Sequence, residues 1–201
     1  MYWLINQSIV MVLIGVAGKI GSGKSTVAKY LVEKYGFIEI SFAEPLKKAC
    51  QNLFLFNDNQ VFGTQLEKAT ADDRWFGKSP RDILQYVGTN LLRDQMYKII
   101  PELGKDIFIH RMELWYSQEI KKTPNINVVI SDLRFPNEAE FIKKNNGICI
   151  QIDRHIKDFA TTHISENSTQ NIDFTYIVDN SSDLDSLHIK IDSIIGKTQT
   201  L

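Results

Sequence analysis

VLIGVAGKIGSGKS, residues 12–25, joins a short apolar run to a glycine-rich loop that ends in Lys24 and Ser25. The apolar run, residues 12–17, has the length and composition of a strand that is covered on both faces of a parallel sheet. Apolar residues then recur at helical spacing through residues 24–35, and a glycine follows as a stop signal. Strand, glycine-rich loop and helix in this order predict a phosphate-binding loop.

Residues 18–25 match the phosphate-binding pattern G-x-x-x-x-G-K-[S/T] at every fixed position. Glycines allow backbone amides to converge on a phosphate, and the start of the helix adds N–H groups and the positive end of its dipole. We expect Lys24 to reach the β- and γ-phosphates of a nucleoside triphosphate and Ser25 to ligate Mg²⁺ through its hydroxyl. Thr26 is either a second phosphate-binding hydroxyl or part of the packing of the helix. The predicted phosphate-binding residues are Gly18, Gly21, Ser22, Gly23, Lys24, Ser25 and Thr26.

Apolar strands and amphipathic helices alternate along the rest of the chain. Their order predicts an α/β fold with right-handed crossovers and a doubly wound parallel sheet of about five strands, with helices on both faces. Beyond the first strand and helix, strands are predicted near residues 37–42, 126–130, 148–152 and 176–178, and helices near 45–54, 80–99, 105–120, 137–144 and up to about 195.

The chain is predicted to be a single domain, residues 1–201. Met11 begins the part that is predicted as a strand, so residues 1–10 are interpreted as a loose extension. Polar, glycine-containing sequence at residues 57–78 is interpreted as a long excursion from the core and as a mobile substrate-binding segment. Residues 156–173 are interpreted as a mobile lid, because most of this stretch has too little apolar content for a core element.

Composition limits the classes of partner that fit this chain. A formal net charge of −1 argues against a protein-wide surface for nucleic acid and favours a small phosphorylated ligand. No apolar stretch reaches the ~18–20 residues that a membrane span needs. Cys50 and Cys149 lie far apart without metal-ligand spacing, which is typical of reduced thiols in a cytoplasmic protein. The sequence leaves a monomer and a homodimer equally open.

Asp132 and Arg134 follow a predicted apolar strand, residues 126–130. The carboxyl ends of the strands in an open α/β sheet face the ligand crevice, so Asp132 is placed to hold Mg²⁺ and Arg134 to grip a phosphate. Alternatively, Asp132 caps the following helix and Arg134 pairs with Asp132 or Glu138. Arg154, which follows another predicted strand, is a candidate for the arginine that stabilises charge during phosphoryl transfer.

The class of nucleotide-binding protein follows from what accompanies the loop. A guanine-nucleotide switch needs an N-K-x-D element after a late strand, and this chain has none. Motor and recombination ATPases are usually larger than 201 residues. One phosphate-binding loop in a chain of this size therefore favours a small-molecule kinase, in which Lys24, Asp132, Arg134 and Arg154 would be catalytic and Ser25 and Asp132 would hold the metal.

Five further segments resemble one family, the deoxynucleoside monophosphate kinases of phages and large DNA viruses. The resemblance extends from about residue 12 to residue 195. The segments are SFAEPLK at 41–47, RDILQYVGT at 81–89, DIF at 106–108, SDLRFPNE at 131–138 and THISE at 162–166.

This resemblance implies an adenylate-kinase-like P-loop kinase that uses ATP and Mg²⁺ to convert a deoxynucleoside monophosphate, a dNMP, into the diphosphate. It also implies a viral source and no nucleic-acid or membrane partner. By position, the implied substrate-binding residues are Ala43 and Pro45 in the wall of the monophosphate pocket, Arg74, Arg81 and Arg134 on the acceptor phosphate, Gln85, Gly88 and Thr89 near the nucleoside, Phe108 against the base, and Glu138.

Several of these residues have simpler interpretations. Gln85 is equally a surface residue of its helix, and Phe108, where the family often has tryptophan, is equally a core residue. Arg81 lies in a first helical turn, where the dipole disfavours a cation, and this placement favours a ligand role. His163 and Glu166 belong either to the lid or to a solvated loop.

Two rival functions remain open at the level of the sequence. Dephospho-coenzyme A kinases have a loop, GGIGSGKST, that is close to residues 18–26, but they follow the second strand with an acidic D-A-D element. Residues 41–43 of this chain read SFA instead. A nucleotide-dependent binding module without a small acceptor would have no use for Arg81 and Arg134.

Overall fold

A five-stranded parallel sheet organises the first of two compact units in the computed structural model, which describes residues 11–154 and 168–198. Of the described residues, this unit comprises 11–41, 113–154 and 168–198, and the second unit comprises 42–112. The strand order is β2-β3-β1-β4-β5, and every neighbouring pair is parallel. The predicted parallel sheet is therefore confirmed. The strands are β1 (Leu13–Ala17), β2 (Ile38–Ile40), β3 (Val128–Ile130), β4 (Ile148–Asp153) and β5 (Tyr176–Asp179).

Helices connect and surround these strands. Three of the predicted helices, residues 24–35, 45–54 and 137–144, agree with the structure to within one residue. In chain order, the α-helices are α1 (Lys24–Tyr35), α2 (Glu44–Phe54), α3 (Asp58–Phe62), α4 (Gln65–Ala69), α5 (Pro80–Gln85), α6 (Ile107–Lys122), α7 (Pro136–Lys144) and α8 (Leu184–Thr198). Short 3₁₀ turns are Asp73–Trp75, Met96–Lys98, Pro101–Leu103 and Ser168–Asn171.

The two faces of the sheet are covered by different helices. Alternate residues of β1 point to opposite faces. On one face, Ile14 and Val16 belong to a buried cluster with Leu31 of α1 and Ile191 of α8. On the other face, a Cβ added to Gly15 would lie 2.3 Å from Ile142 Cδ1 of α7. Helix α1 follows β1 and helix α7 follows β3, so neighbouring strands β1 and β3 send their chains to opposite faces. Their junction is the topological switch point, where ligands bind in open α/β sheets.

The second unit is helical. Residues 57–78 lie in it, and their interpretation as an excursion from the core stays a prediction. Residues 57–78 contain α3, α4 and a 3₁₀ turn. Capping boxes explain both short helices, since the Asn57 side chain pairs with Gln60 and the Thr64 side chain with Glu67. The helix predicted near residues 80–99 is present, but its middle part, Tyr86–Arg93, is π-helical and its end, Met96–Lys98, is a 3₁₀ turn.

In the described ranges, 11–154 and 168–198, every helix is too short or too polar to cross a membrane.

One polar cluster fastens α1 to α8. The Asp192 carboxylate accepts hydrogen bonds from the Tyr30 hydroxyl at 2.8 Å, the Tyr35 hydroxyl at 2.7 Å and the Lys34 ammonium at 2.8 Å. Partial burial opposes ionisation of Asp192, but these three donors outweigh it and lower the pKa of Asp192 to about 2. The ring of His188 stacks on Tyr30 with 3.7 Å between centroids.

We expect Asp192→Asn to destabilise the protein at pH 7 by about 1 kcal/mol, a value reduced for the exposure of the pair to solvent. The pKa of Asp192 is lower in the folded than in the unfolded chain, so its contribution is complete above about pH 4 and is lost as pH falls toward 2. Thermal unfolding at pH 7 and pH 2.5 should therefore show a difference between the two proteins that shrinks at the lower pH. The control is Glu33→Gln, which removes an exposed carboxylate of α1. A difference that is independent of pH would contradict the assigned role.

Candidate nucleotide-binding site

The loop of residues 18–25 links β1 to α1 and has the backbone conformation that its glycines permit. Gly18, Gly21 and Gly23 have φ values of +148°, +78° and +105°, which side-chain-bearing residues rarely adopt. Gly23 is the N-cap of α1 and accepts a hydrogen bond from Val27 N at 3.0 Å. The loop therefore passes directly into the positive end of the helix dipole, as an anion site requires.

Lys24 folds back over the loop. Its ammonium donates to the backbone oxygen of Gly18 at 2.7 Å and to that of Lys19 at 2.8 Å. These two bonds hold the positive charge at the loop. Lys24 is thus positioned within the loop that it is predicted to serve, and it needs only a local change of partners to meet a phosphate oxygen.

The ends of β4 and β5 support the loop from behind. A Cβ on Gly18 would lie 2.4 Å from the backbone oxygen of Ile152 in β4. Asn180, directly after β5, is 8% exposed and donates from Nδ2 to the backbone oxygen of Ser22 at 2.8 Å. A Cβ on Gly23 would lie 2.5 Å from the same Nδ2. Two of the glycines are therefore required by close packing as well as by backbone conformation.

Ser22 is almost completely buried, with an exposed fraction of 1%. In the part of the chain that the structure describes, Ser22 Oγ is the buried side-chain polar atom that has no hydrogen-bond partner. Burying an unpartnered hydroxyl costs about 1–3 kcal/mol.

We expect Ser22→Ala to raise the free energy of unfolding by about 1 kcal/mol, because the unpartnered hydroxyl is removed and little volume is lost. For a chain of this size the melting temperature should rise by about 2–4 °C. Ser25→Ala, which removes an exposed hydroxyl from the same loop, is the matched control and should leave the melting temperature unchanged. A clear fall in the melting temperature of Ser22→Ala would show that this hydroxyl has a stabilising partner.

Three other predicted site residues, Asp132, Arg134 and Arg154, lie at the same edge of the sheet as the loop. Because all five strands are parallel, their carboxyl ends lie on the same edge. Asp132 and Arg134 follow β3, and Arg154 follows β4. Asp132 is half-buried, whereas Arg134 and Arg154 are exposed. The sheet topology thus brings these three side chains to the edge that carries the phosphate-binding loop.

Glu138 has a local structural role. It is 2% exposed, and its Oε2 accepts hydrogen bonds from the backbone N–H of Arg134 at 2.9 Å and of Phe135 at 3.1 Å. This carboxylate therefore shapes the turn between β3 and α7 that presents Arg134. Its predicted direct contact with substrate stays a prediction.

The remaining predicted substrate residues belong to the second unit. Arg74 is held by a bidentate ion pair with Asp72, in which Nη2 and Oδ2 are 2.6 Å apart, and it also donates to Gln60 and to the backbone oxygen of Leu55. The hydrogen bonds from Arg74 hold the pKa of Asp72 well below its usual range, despite the burial of that carboxyl. Arg74 thus braces α3 against the following turn, and its predicted contact with the acceptor phosphate stays a prediction.

Arg81 and Gln85 lie on α5 and are both half-buried. Nη2 of Arg81 donates to the side-chain and backbone oxygens of Gln65 in α4. Both contacts lie at an exposed position, so a phosphate can replace Gln65 without unfolding a core element.

The π-helical stretch Tyr86–Arg93 contains Gly88 and Thr89. A Cβ on Gly88 would lie 2.7 Å from Leu46 Cδ2 of α2, so glycine allows this stretch to approach α2 closely. Single π-helical turns within helices are frequent at functional sites. Phe108 is 8% exposed, and the Arg93 guanidinium lies 4.9 Å from its ring centroid. Ala43 and Pro45, at the start of α2, are half-buried.

The groups at this edge of the sheet can be compared with the ligands that ATP and Mg²⁺ require. Left-handed glycines, a lysine inside the loop and a helix N-terminus fit a triphosphate. Mg²⁺ prefers oxygen ligands and keeps several waters, so one hydroxyl from Ser25 and one carboxylate from Asp132 fit its needs. Among the described residues, no group of three or more His, Cys, Asp or Glu side chains is placed to hold a metal ion by itself.

Asn180 is the residue of this site that the sequence analysis missed. A polar residue close after an apolar strand, as with Asp132, marks its position in the sequence, but nothing in the sequence indicates its bond to Ser22. The predictions for His163 and Glu166, together with most of the lid and the extension at 1–10, fall outside the described residues.

Comparisons with known proteins add the following. No family model matches the chain. A protein of Acanthamoeba polyphaga mimivirus, provisionally named a deoxynucleotide monophosphate kinase, is 50% identical over 192 residues, which cover 95% of this chain and 100% of that protein. Dephospho-CoA kinase from Campylobacter jejuni aligns with a TM-score of 0.46 at 18% identity, covering 94% of this chain and 97% of that one. Shikimate kinase from Bacteroides thetaiotaomicron aligns with a TM-score of 0.47 at 12% identity, covering 94% and 99%. At these values neither structure bears on the substrate.

Proposed function

The chain belongs to the deoxynucleotide monophosphate kinases, and we propose that it transfers the γ-phosphoryl group of ATP to the phosphate of a dNMP, giving a deoxynucleoside diphosphate and ADP. The observation that carries this proposal is the loop of residues 18–25 at the switch point of the sheet, with Lys24 held inside it. The mimivirus relative, which aligns along its whole length, supports the choice of acceptor and agrees with the viral source that the sequence resemblance implies.

Phosphoryl transfer needs in-line placement of the reactants and neutralisation of charge on the transferring oxygens. The loop amides and Lys24 would bind and orient the β- and γ-phosphates. Mg²⁺, held by Ser25 and Asp132, would supply further charge neutralisation when it is bound. Arg134 and Arg154, at the same edge of the sheet, would stabilise the negative charge on the oxygens of the transferring phosphoryl group.

The acceptor needs binding rather than activation. The attacking oxygen belongs to a phosphate that is already ionised at neutral pH, so the reaction requires no general base. Arg81 and Arg134 would hold that phosphate, and Gln85 and Thr89 would approach the nucleoside. Glu138 would contribute indirectly, by fixing the turn that presents Arg134.

The rival acceptor is dephospho-coenzyme A. Membership of the deoxynucleotide monophosphate kinases favours a dNMP over this rival and over a binding module without turnover. We further propose that the reaction takes place in the host cytoplasm, with a small-molecule substrate. Monomer and homodimer both stay open as predictions.

A coupled ADP-release assay with Mg-ATP tests the proposal. The acceptors are dTMP, dGMP, dCMP, dAMP and dephospho-coenzyme A, and chromatography identifies the product. Turnover with at least one dNMP to its diphosphate is expected. Turnover with dephospho-coenzyme A alone would assign the chain to the rival reaction. Tight ATP binding with no turnover of any acceptor would overturn the kinase assignment. A Lys24→Met protein purified in the same way controls for contaminating host kinases.

A further inference from the structure

We propose that Asn180 is a positioning residue for nucleotide binding. Its side-chain amide holds the peptide group between Ser22 and Gly23 in the orientation that points the Gly23 N–H toward the bound phosphates. This inference rests on the proposed binding of a nucleoside triphosphate by the loop of residues 18–25. It assigns a function to the end of β5, which the proposed mechanism does not use.

The contacts of Asn180 fix its position on both sides. Its backbone N–H donates to the backbone oxygen of Asp153, at the end of β4, at 2.6 Å. Its Nδ2 donates to the backbone oxygen of Ser22 at 2.8 Å, and both residues of this bond are buried. The side chain therefore spans from the edge of the sheet to the back of the loop without a solvent-filled gap.

Because the peptide is planar, the hydrogen bond from Asn180 to the Ser22 oxygen also fixes the direction of the Gly23 N–H. A peptide group is planar and trans, so its C=O and its N–H point in opposite directions. Asn180 binds the C=O of Ser22 from the side of the sheet, and the N–H of Gly23 must then point to the opposite side. That side is the concave face of the loop, on which the backbone amides of a phosphate-binding loop converge.

The peptide between Ser22 and Gly23 can easily rotate into another orientation. Gly23 has a φ of +105°, and glycine has the widest range of alternative backbone angles. Without a fixed partner for the Ser22 oxygen, the peptide can rotate and turn an oxygen toward the phosphates in place of an N–H. The glycine is required in turn, since a Cβ there would lie 2.5 Å from Asn180 Nδ2.

The test measures binding of ATP, ADP and inorganic tripolyphosphate by calorimetry, in wild-type protein and in two variants. Asn180→Asp keeps the shape of the side chain and replaces the donor by an acceptor, and Asn180→Ala removes the group. We expect the Kd of ATP and of tripolyphosphate to rise on the order of 10-fold in both variants, the loss typical of one buried hydrogen bond. The calorimetric stoichiometry should stay unchanged, whereas a general loss of folding would lower the fraction of protein that binds.

Asn145→Ala is the matched control. The Asn145 side-chain amide also donates to a backbone oxygen, that of Phe141 at 2.8 Å, but at the end of α7. It should lower the melting temperature without changing the affinity for tripolyphosphate. Unchanged affinity in both Asn180 variants would overturn the inference.

A measurement on the wild-type protein covers the case in which the variants do not fold. The backbone amide resonance of Gly23 should shift strongly when tripolyphosphate is added, because its N–H becomes a donor to phosphate. A Gly23 resonance that does not move while the rest of the loop responds would overturn the inference. These readouts measure binding alone, so a failure of the dNMP kinase assay would leave them informative, and their own failure would leave that assay intact.

Discussion

Replacing Lys24 by methionine should lower kcat/KM for ATP by on the order of 10³-fold, the upper range for loss of one preorganised charge-stabilising donor. Lys24 lies inside the loop and contacts two of its backbone oxygens at 2.7 and 2.8 Å. The substitution keeps the length and the apolar part of the side chain but removes both the charge that would follow the transferring phosphoryl group and the two bonds to the loop. Steady-state kinetics with Mg-ATP and the best dNMP measure this loss.

Lys29→Met is the control for the Lys24 substitution. Lys29 also lies on α1, but its side chain is 73% exposed and pairs with Glu33 across one helical turn. Its replacement should change kcat/KM by less than about twofold, because an exposed pair of this kind contributes little. Activity of the Lys24 variant within tenfold of wild type would show that another group performs the phosphate-binding role.

Replacing Gly18 by alanine should lower the affinity for ATP by on the order of 10²-fold, the loss expected when a shifted loop loses about two hydrogen bonds to the charged phosphates. The new Cβ would meet the backbone oxygen of Ile152 at 2.4 Å and Ser22 Oγ at 2.5 Å. A backbone oxygen in a central strand cannot move aside as a flexible side chain can, so the loop itself must shift. Fluorescence or calorimetric titration with ATP measures the loss.

Gly36→Ala is the control that separates the effect of the Cβ clash from the effect of backbone strain. Gly36 also has a left-handed backbone, with φ of +68°, but a Cβ there would have no neighbour within 4 Å. Its substitution should cost about 1–2 kcal/mol of stability through conformation alone and leave ATP affinity unchanged. Wild-type affinity in Gly18→Ala would show that the loop can shift without weakening ATP binding. It would contradict the inference that packing against β4 fixes the shape of the loop.

The sequence was sufficient to predict the sheet and the glycine-rich loop between β1 and α1 because both depend on local signals. A buried strand reads as a continuous apolar run, and the loop has fixed glycines before a lysine and a serine. The same local signals placed α1 and α7 to within one residue of their observed ends. The position of Asp132 at the loop's edge of the sheet was predicted for the same reason, because it follows an apolar strand closely, and its role as a metal ligand stays a prediction.

The second unit was harder to predict because its helices depend on short-range caps and on packing. Helices α3 and α4 have five residues each, which is too few for a recognisable apolar period. The change from α5 to a π-helical stretch at Tyr86 follows no pattern of apolar residues. The partners of Arg74, which join residues up to 19 positions away, could not be read from spacing.

The support given by Asn180 was beyond sequence reasoning for another reason. It joins two residues that are 158 positions apart in the chain, Ser22 and Asn180. Only the strand order, which sets β4 beside β1 and β5 beside β4, brings the end of β5 within reach of the loop.

The cluster that fastens α1 to α8 also has a consequence for biosynthesis. Lys34 and Asp192 are 158 residues apart, so a ribosome makes the nucleotide-binding helix long before the helix that anchors it. Contacts of such long sequence separation form late in folding, after the loop-closure entropy has been overcome. We therefore expect α1 of the nascent chain to stay without its anchor until α8 has been made, so that the native form of the nucleotide-binding helix is acquired late in biosynthesis.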